Sequence, residues 1–239
     1  MQKRTISALL VFVIAGALAV NLFGGPAGTG TITGKVTYTG TPAKARPIDM
    51  SKEPVCAKAH ATPAMSQTVV TGPGNSLANV VVYVSAGDQG SSAPAKAAKL
   101  DQKGCLYIPH VLAVQVGQEV EVTNSDQAAH NIQANSKTNP AFNKAQSPGA
   151  PPVDVKYDKA EFIPLKCNIH PWMNAWVAVL NTSHSAVSGE DGSFTIAGLA
   201  PGKYTLTAWQ EHAGTETQEV TVGAGETKNV NFVFKMLPY

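Results

Sequence analysis

Seven consecutive residues, Cys167-Asn168-Ile169-His170-Pro171-Trp172-Met173, bring a thiol, an imidazole and a thioether together directly after a strand-like run. All three are metal-ligand types. A thiolate joined by two imidazoles in a trigonal plane, with a weak axial thioether, is the set that favours copper, because Cu(I) is soft and Cu(II) tolerates that geometry. A second histidine is therefore required. His130 is the candidate, in Asn124-Ser125-Asp126-Gln127-Ala128-Ala129-His130-Asn131-Ile132, just past a strand at 119–123 and able to reach back over the sheet. Zinc also accepts Cys and His, but it does not take a Met three residues beyond the histidine. Each residue alone has a plainer reading, since an isolated Cys is most often a small buried hydrophobe and an isolated His a surface or satisfied core residue. Four of them in this order and spacing favour the joint reading.

The elements that must position these residues are strands. In 31–38, Ile32, Val36 and Tyr38 share one face at period two. Prolines 42, 47, 54 and 63 break the next stretch, and 77–84 resumes as a Val-rich strand that reads as buried on both faces. The block 106–123 reads as a hairpin around Gly117-Gln118. The Asn-, Pro- and Ser-rich 134–152 has no period and reads as a loop, and strands return at 161–166 and 175–180. Beyond 183 come short alternating strands at 193–196, 204–209, 219–222 and 230–234, with turns at Asp191-Gly192, Pro201-Gly202 and 223–225. No stretch of the mature part has a convincing amphipathic helical pattern.

The chain has 239 residues, 44% hydrophobic and only 14% charged, with 21 Gly and 16 Pro. That length and apolar content can build a real core, and so low a charge fraction with so many turn formers suits a turn-rich β protein outside the cytoplasm. Lys3 and Arg4, the apolar run 8–20 and the small-x-small Ala17-Leu18-Ala19 read as an export signal over 1–19, cleaved after Ala19. The run is shorter than the ~20 residues of a membrane span, although Leu22 and Phe23 extend it toward an uncleaved N-terminal anchor. Of the 18 Lys and Arg, two lie in that segment, so the exported part balances its 16 acidic groups and implies no nucleic-acid partner.

The run Val116-Gly117-Gln118-Glu119-Val120-Glu121-Val122-Thr123-Asn124, followed by His130-Asn131 and the later Cys-x-x-His-x-x-Met, resembles the blue-copper cupredoxins over roughly 106–180. The short ligand loop, with Pro straight after its His, is similar to that of amicyanin; plastocyanin and azurin have longer ones. The resemblance implies a Greek-key β-sandwich holding one type 1 copper, with His130, Cys167 and His170 as strong ligands and Met173 as the axial one. It also implies that the Asn131 backbone N–H donates to the Cys167 sulfur, and that Pro171 and Trp172 form an apolar rim around an exposed His170 edge where a redox partner docks transiently.

Cysteine counting agrees, because three Cys in an exported chain leave one over, and copper ligation accounts for Cys167. Cys56 and Cys105 would then form a disulfide. The alternative, Cys56 and His60 as part of another metal site, lacks neighbouring ligands. His60, His110, His184 and His212 read as structural, with Trp209 and His212 the residues to watch should the second module approach the copper loop.

The run Gly189-Glu190-Asp191-Gly192-Ser193-Phe194-Thr195-Ile196-Ala197-Gly198-Leu199, then Pro201-Gly202-Lys203-Tyr204, resembles the carboxypeptidase regulatory-like, transthyretin-like β-sandwich, and Gly34-Lys35-Val36 resembles its first strand. The expectation is an all-β chain: a cupredoxin-like domain over 29–182 with an N-terminal extension, then a smaller transthyretin-like sandwich over 186–236. The function implied is a periplasmic or extracellular electron carrier, not an enzyme, since the chain has six His and no His-x-His pair for a second copper centre. The alternatives are a copper-binding or delivery protein, or a structural β protein without a working metal site. Membrane contact enters only if the N-terminal segment stays uncleaved.

Overall fold

The computed structural model describes residues 28–236 apart from 43, 89–93 and 95, so the export segment expected at 1–19 lies outside the described residues. Among the described residues no helix is long and apolar enough to cross a membrane. The chain is all-β, arranged as two sandwiches.

The first sandwich spans 98–180. One of its sheets orders the strands Phe142–Gln146, His130–Ala134, Glu161–Lys166, Asn174–Leu180 and Val111–Gln115; the other orders Val153–Lys156, Glu119–Asn124, Ala98–Lys103 and Leu106–Ile108. Alternation sends Val120 and Val122 from one sheet, and Ile163, Leu165, Val177 and Val179 from the other, into a shared core with Ile132, Leu100 and Tyr107. Asn174–Leu180 runs parallel to Val111–Gln115, and Ala98–Lys103 parallel to Glu119–Asn124.

Two expectations are corrected here. The strands on either side of Gly117-Gln118 are not a hairpin, because they lie in opposite sheets. Gly117 turns the chain at φ 79° across the sandwich edge, so the two strands face each other over the core instead of pairing. A tight polar turn reads the same in either case. The stretch 134–152 is not all loop, since Phe142–Gln146 pairs antiparallel with His130–Ala134. It is an edge strand, largely exposed along its middle, and therefore carries no apolar alternation.

The second sandwich is assembled from both ends of the described chain. Gly30–Gly40 is its central strand, antiparallel to Ser193–Leu199 and parallel to Thr227–Asn229 and Phe232–Met236. The facing sheet holds Ser185–Val187, Val81–Ala86, Gly202–Gln210 and Gly214–Val222. Ile32, Val36, Leu77, Phe194, Leu206 and Phe232 fill the space between them. Gly34 is required by close approach, because a Cβ there would lie 1.8 Å from the Val230 carbonyl oxygen and 2.8 Å from the Phe194 ring. The sheets thus part the chain differently from the expected 29–182 and 186–236. Residues 30–40 and 81–86 belong with the C-terminal strands, and 98–180 is an insertion between them.

The two sandwiches share an apolar seam. Val81, Tyr83, Val187 and Trp209 of one meet Val111, Phe162, Trp176, Ala178 and Leu180 of the other. Trp209 lies with ring centroids 4.3 Å from Phe162 and 5.1 Å from Trp176. Glu211 accepts hydrogen bonds from the Trp176 indole and pairs with His110, which confirms the structural part expected of that histidine.

Candidate metal centre

The 167–173 segment is the loop between two paired strands, Glu161–Lys166 and Asn174–Leu180, whose Lys166 and Asn174 face each other in register. The Cys167 N–H donates to the Met173 carbonyl at 3.0 Å, and the Met173 N–H to the His170 carbonyl at 2.9 Å, so the loop is closed on itself. His130 opens the neighbouring strand, which joins the sheet through Leu165↔Ala134 and Lys166↔Gln133. Sheet pairing therefore brings residues nearly forty positions apart to one end of the sandwich.

His130 Nδ1 and His170 Nδ1 lie 2.9 Å apart, and the Cys167 Sγ lies 3.9 Å from His170 Nδ1. One ligand atom from each of the three falls within 4.8 Å of the others. All three side chains are buried, as is Met173 at the loop's end, packed in the same core cluster as Cys167. Cys167 is a free thiol. His130 donates from Nε2 to the Asp126 carboxylate at 2.9 Å, which leaves Nδ1 as the nitrogen facing the thiol. Asp126 also accepts the Gly104 and Cys105 N–H groups at 2.6 and 2.7 Å. The sequence assigns Asp126 no part, its signal there being only a carboxylate four residues before a candidate ligand.

The electrostatics follow from these contacts. Burial pulls His130 down, but Asp126 and Cys167 outweigh it and raise its pKa to about 9. Burial pushes the Cys167 thiol up, yet hydrogen bonds from His130 and from the backbone of Asn131, His170 and Ile169 hold it below the usual thiol range. His170 is lowered by burial and by the charge on His130. A buried thiol whose pKa is lowered, beside two imidazoles, is chemically suited to hold a soft metal ion.

Asn131 reaches the sulfur with its side chain as well as its backbone. Its Oδ1 accepts the Asn168 N–H at 2.6 Å and the Cys167 thiol at 3.4 Å, while its Nδ2 donates to Asn143 at 2.7 Å. Its carbonyl accepts the Tyr107 hydroxyl at 2.6 Å.

The expectation of an exposed His170 edge is overturned. His170 is only 2% exposed. Residues 46–66 fold over it as a cap, joined at the Pro47↔Met65 bridge and carrying the short helix Pro54–Lys58. Cys56 from that helix lies with Sγ 3.6 Å from His170 Nε2 and is disulfide-bonded to Cys105. Trp172 belongs to this cover: its indole donates to the Cys105 carbonyl, and its ring centroid lies 5.2 Å from that of His170. Pro171 is exposed, but it does not rim a bare imidazole, because His170 is covered. The expected Cys56–Cys105 disulfide is present and ties 46–66 to Cys105, but the proline-broken sequence gave no sign that the segment would cover His170. The alternative metal use of Cys56 with His60 is not what forms, since Cys56 is in the disulfide and His60 Nε2 lies 2.7 Å from the Gly104 carbonyl oxygen. The second module does not bring Trp209 to this loop; Trp209 packs in the seam instead.

A family model of the carboxypeptidase regulatory-like domain matches residues 170–235. Solved structures to which the chain is similar include cupredoxins. A purple cupredoxin from Nitrosopumilus maritimus aligns at 23% identity over 35% of this chain and 99% of its own, with a TM-score of 0.31. A copper-containing nitrite reductase from Thermus scotoductus aligns at 19% identity over 41% of this chain and 25% of its own, TM-score 0.34. An amicyanin variant in the Cu(I) state aligns at 18% identity over 41% and 98%, TM-score 0.33. No protein of curated function matches the sequence. The family match begins inside the candidate ligand loop and omits the Gly30–Gly40 strand on which that sandwich is centred.

Proposed function

We propose that the chain is an exported one-copper protein of the type 1 class that carries single electrons between protein partners and catalyses no reaction of its own. The observation that supports this is the convergence of His130 Nδ1, His170 Nδ1 and the Cys167 sulfur in one buried place. Copper bound there would supply one-electron chemistry between Cu(I) and Cu(II). His130, Cys167 and His170 would hold it, with Met173 as the axial thioether. The residues around them restrict movement: Asp126 orients His130, Asn131 pins both the sulfur and the Asn168 amide, and the closed 167–173 loop sits on paired strands. Ligands that cannot rearrange keep the two oxidation states in similar geometry, which is what a fast electron carrier needs.

Adding Cu(II) to the metal-free protein tests the reading. An intense visible thiolate-to-copper band is expected, and Cys167→Ser should remove it; a protein that stays colourless refutes the assignment. The cover over His170 favours a second reading, a protein that holds and hands on copper. Electron self-exchange, followed by NMR line broadening in mixtures of the two oxidation states, separates them, being fast for a carrier and undetectable for a closed binding protein.

A further inference from the structure

On the far edge of the His170 ring lies a second group of soft donors. Nδ1 faces His130 and Cys167, whereas Nε2 faces Cys56 at 3.6 Å. Cys56, Cys105 and His170 together place one donor atom each within 4.8 Å of one another, all buried. Met50 packs in the same small cluster with both cysteines, adding a buried thioether. As a disulfide the two sulfurs are poor ligands; as thiolates they would join an imidazole and a thioether in the set that soft cations prefer.

We propose that, in its dithiol form, the Cys56–Cys105 pair is a second metal site that takes Cu(I) and shares His170 with the first. The choice of ion rests on the copper reading above. A dithiol reductant supplies two electrons and two protons, leaves as its own disulfide, and yields the Cys56 and Cys105 thiols. Cu(I) then replaces the two thiol protons and keeps its oxidation state; when both sites are filled, His170 also releases its ring N–H proton to solvent and bridges the two ions as an imidazolate.

The cap is built so that this change is local. Its helix has five residues and no side-chain N-cap bond, and its ends meet through one bridge and a few backbone hydrogen bonds. Such a segment opens at much lower cost than the sandwich it covers. A cleft of about 280 Å³ opens within the cap itself, between Ile48, Met50, Ala57, His60 and Ala64, so the helix that carries Cys56 is loosely packed on that side. An ion bound here is separated from the first site by one imidazole ring, which makes the cluster a thiol-gated point of entry to it.

The test uses the full chain carrying Cys167→Ser, which removes the thiolate of the first site. One sample is left oxidised; another is reduced with a phosphine that is then removed without air. Both are titrated with Cu(I) against a chromophoric Cu(I) chelator. The reduced sample should hold one more Cu(I) per chain, with a new near-ultraviolet thiolate-to-Cu(I) absorption, and adding His170→Gln should weaken that extra ion by roughly tenfold or more. Equal uptake by the two samples overturns the proposal, as does extra uptake indifferent to His170→Gln. Should Cys167→Ser not fold, the wild-type chain gives the same answer as two Cu(I) reduced against one oxidised. The visible Cu(II) band of the oxidised wild type reports on the first site independently, so either site can fail without the other.

Discussion

His170 is an imidazole with different neighbours on its two edges, and most of the site's character follows from that. Its Nδ1 points inward to His130 and Cys167, and its Nε2 meets the Cys56 sulfur, so neither nitrogen reaches water. His130 is fixed differently, by a carboxylate that also ties down the backbone of 104–105. Asp126→Asn removes the charge and can accept through only one oxygen, so His130 loses its orientation while every proposed ligand remains. Copper affinity measured by chelator competition should drop roughly 10–100-fold with the visible band still present. Loss of the band itself would mean that Asp126 helps to build the site and does not merely position His130.

At the level of elements, the 167–173 loop is stiff because both its ends are paired strands, and the sheet beside it is held by a carboxylate in a similar way. Glu161, at the start of the strand that leads to Cys167, accepts hydrogen bonds from the Lys137, Thr138 and Asn139 amides and from the Thr138 and Asn139 side chains. Burial pushes its pKa up, but those donors, the Lys137 amide first among them, bring it down from 4.5 to about 2. A carboxyl depressed in the folded state stabilises the fold above its unfolded value and loses that contribution as the pH falls through its folded value. Thermal unfolding followed from pH 7 down to 2 should show wild type more stable than Glu161→Gln by a constant margin down to about pH 4.5, then a margin that shrinks toward pH 2. A margin that does not change with pH would assign the difference to packing. The cap is the other decisive element. It covers the histidine edge, so on the proposed carrier reading a redox partner would meet the 46–66 segment, including exposed Val55 and Met65, together with Ile169 of the candidate ligand loop.

Across the whole molecule, one sandwich is inserted into the other, and this dictates which pieces can fold alone. Residues 186–236 lack their central strand, Gly30–Gly40, and the strand Val81–Ala86 that lies against Gly202–Gln210. A fragment of 186–236 is expected to give circular dichroism and NMR spectra of an unfolded chain, whereas a fragment of 97–182, which holds every strand of its own two sheets, should fold. A cooperatively folded 186–236 fragment would show that the N-terminal strand is dispensable. Much of this protein was already legible along the chain. Period-two alternation in 31–38 and 204–209 and strand-like composition in 161–166 and 175–180 marked strands, because both record how a residue meets the core, and that is a local property. The ligand types and their spacing were likewise local, and so was the odd cysteine. Only the tertiary structure decided that 111–115 and 119–124 oppose each other across the core, that Gly30–Gly40 belongs with strands some 160 residues onward, and that 46–66 closes over His170. Strand partners and covers are chosen by which apolar faces fit in space; the cysteine count tied 46–66 to Cys105, but neither a polar turn nor a proline-broken segment has an apolar period that records the surface it will cover.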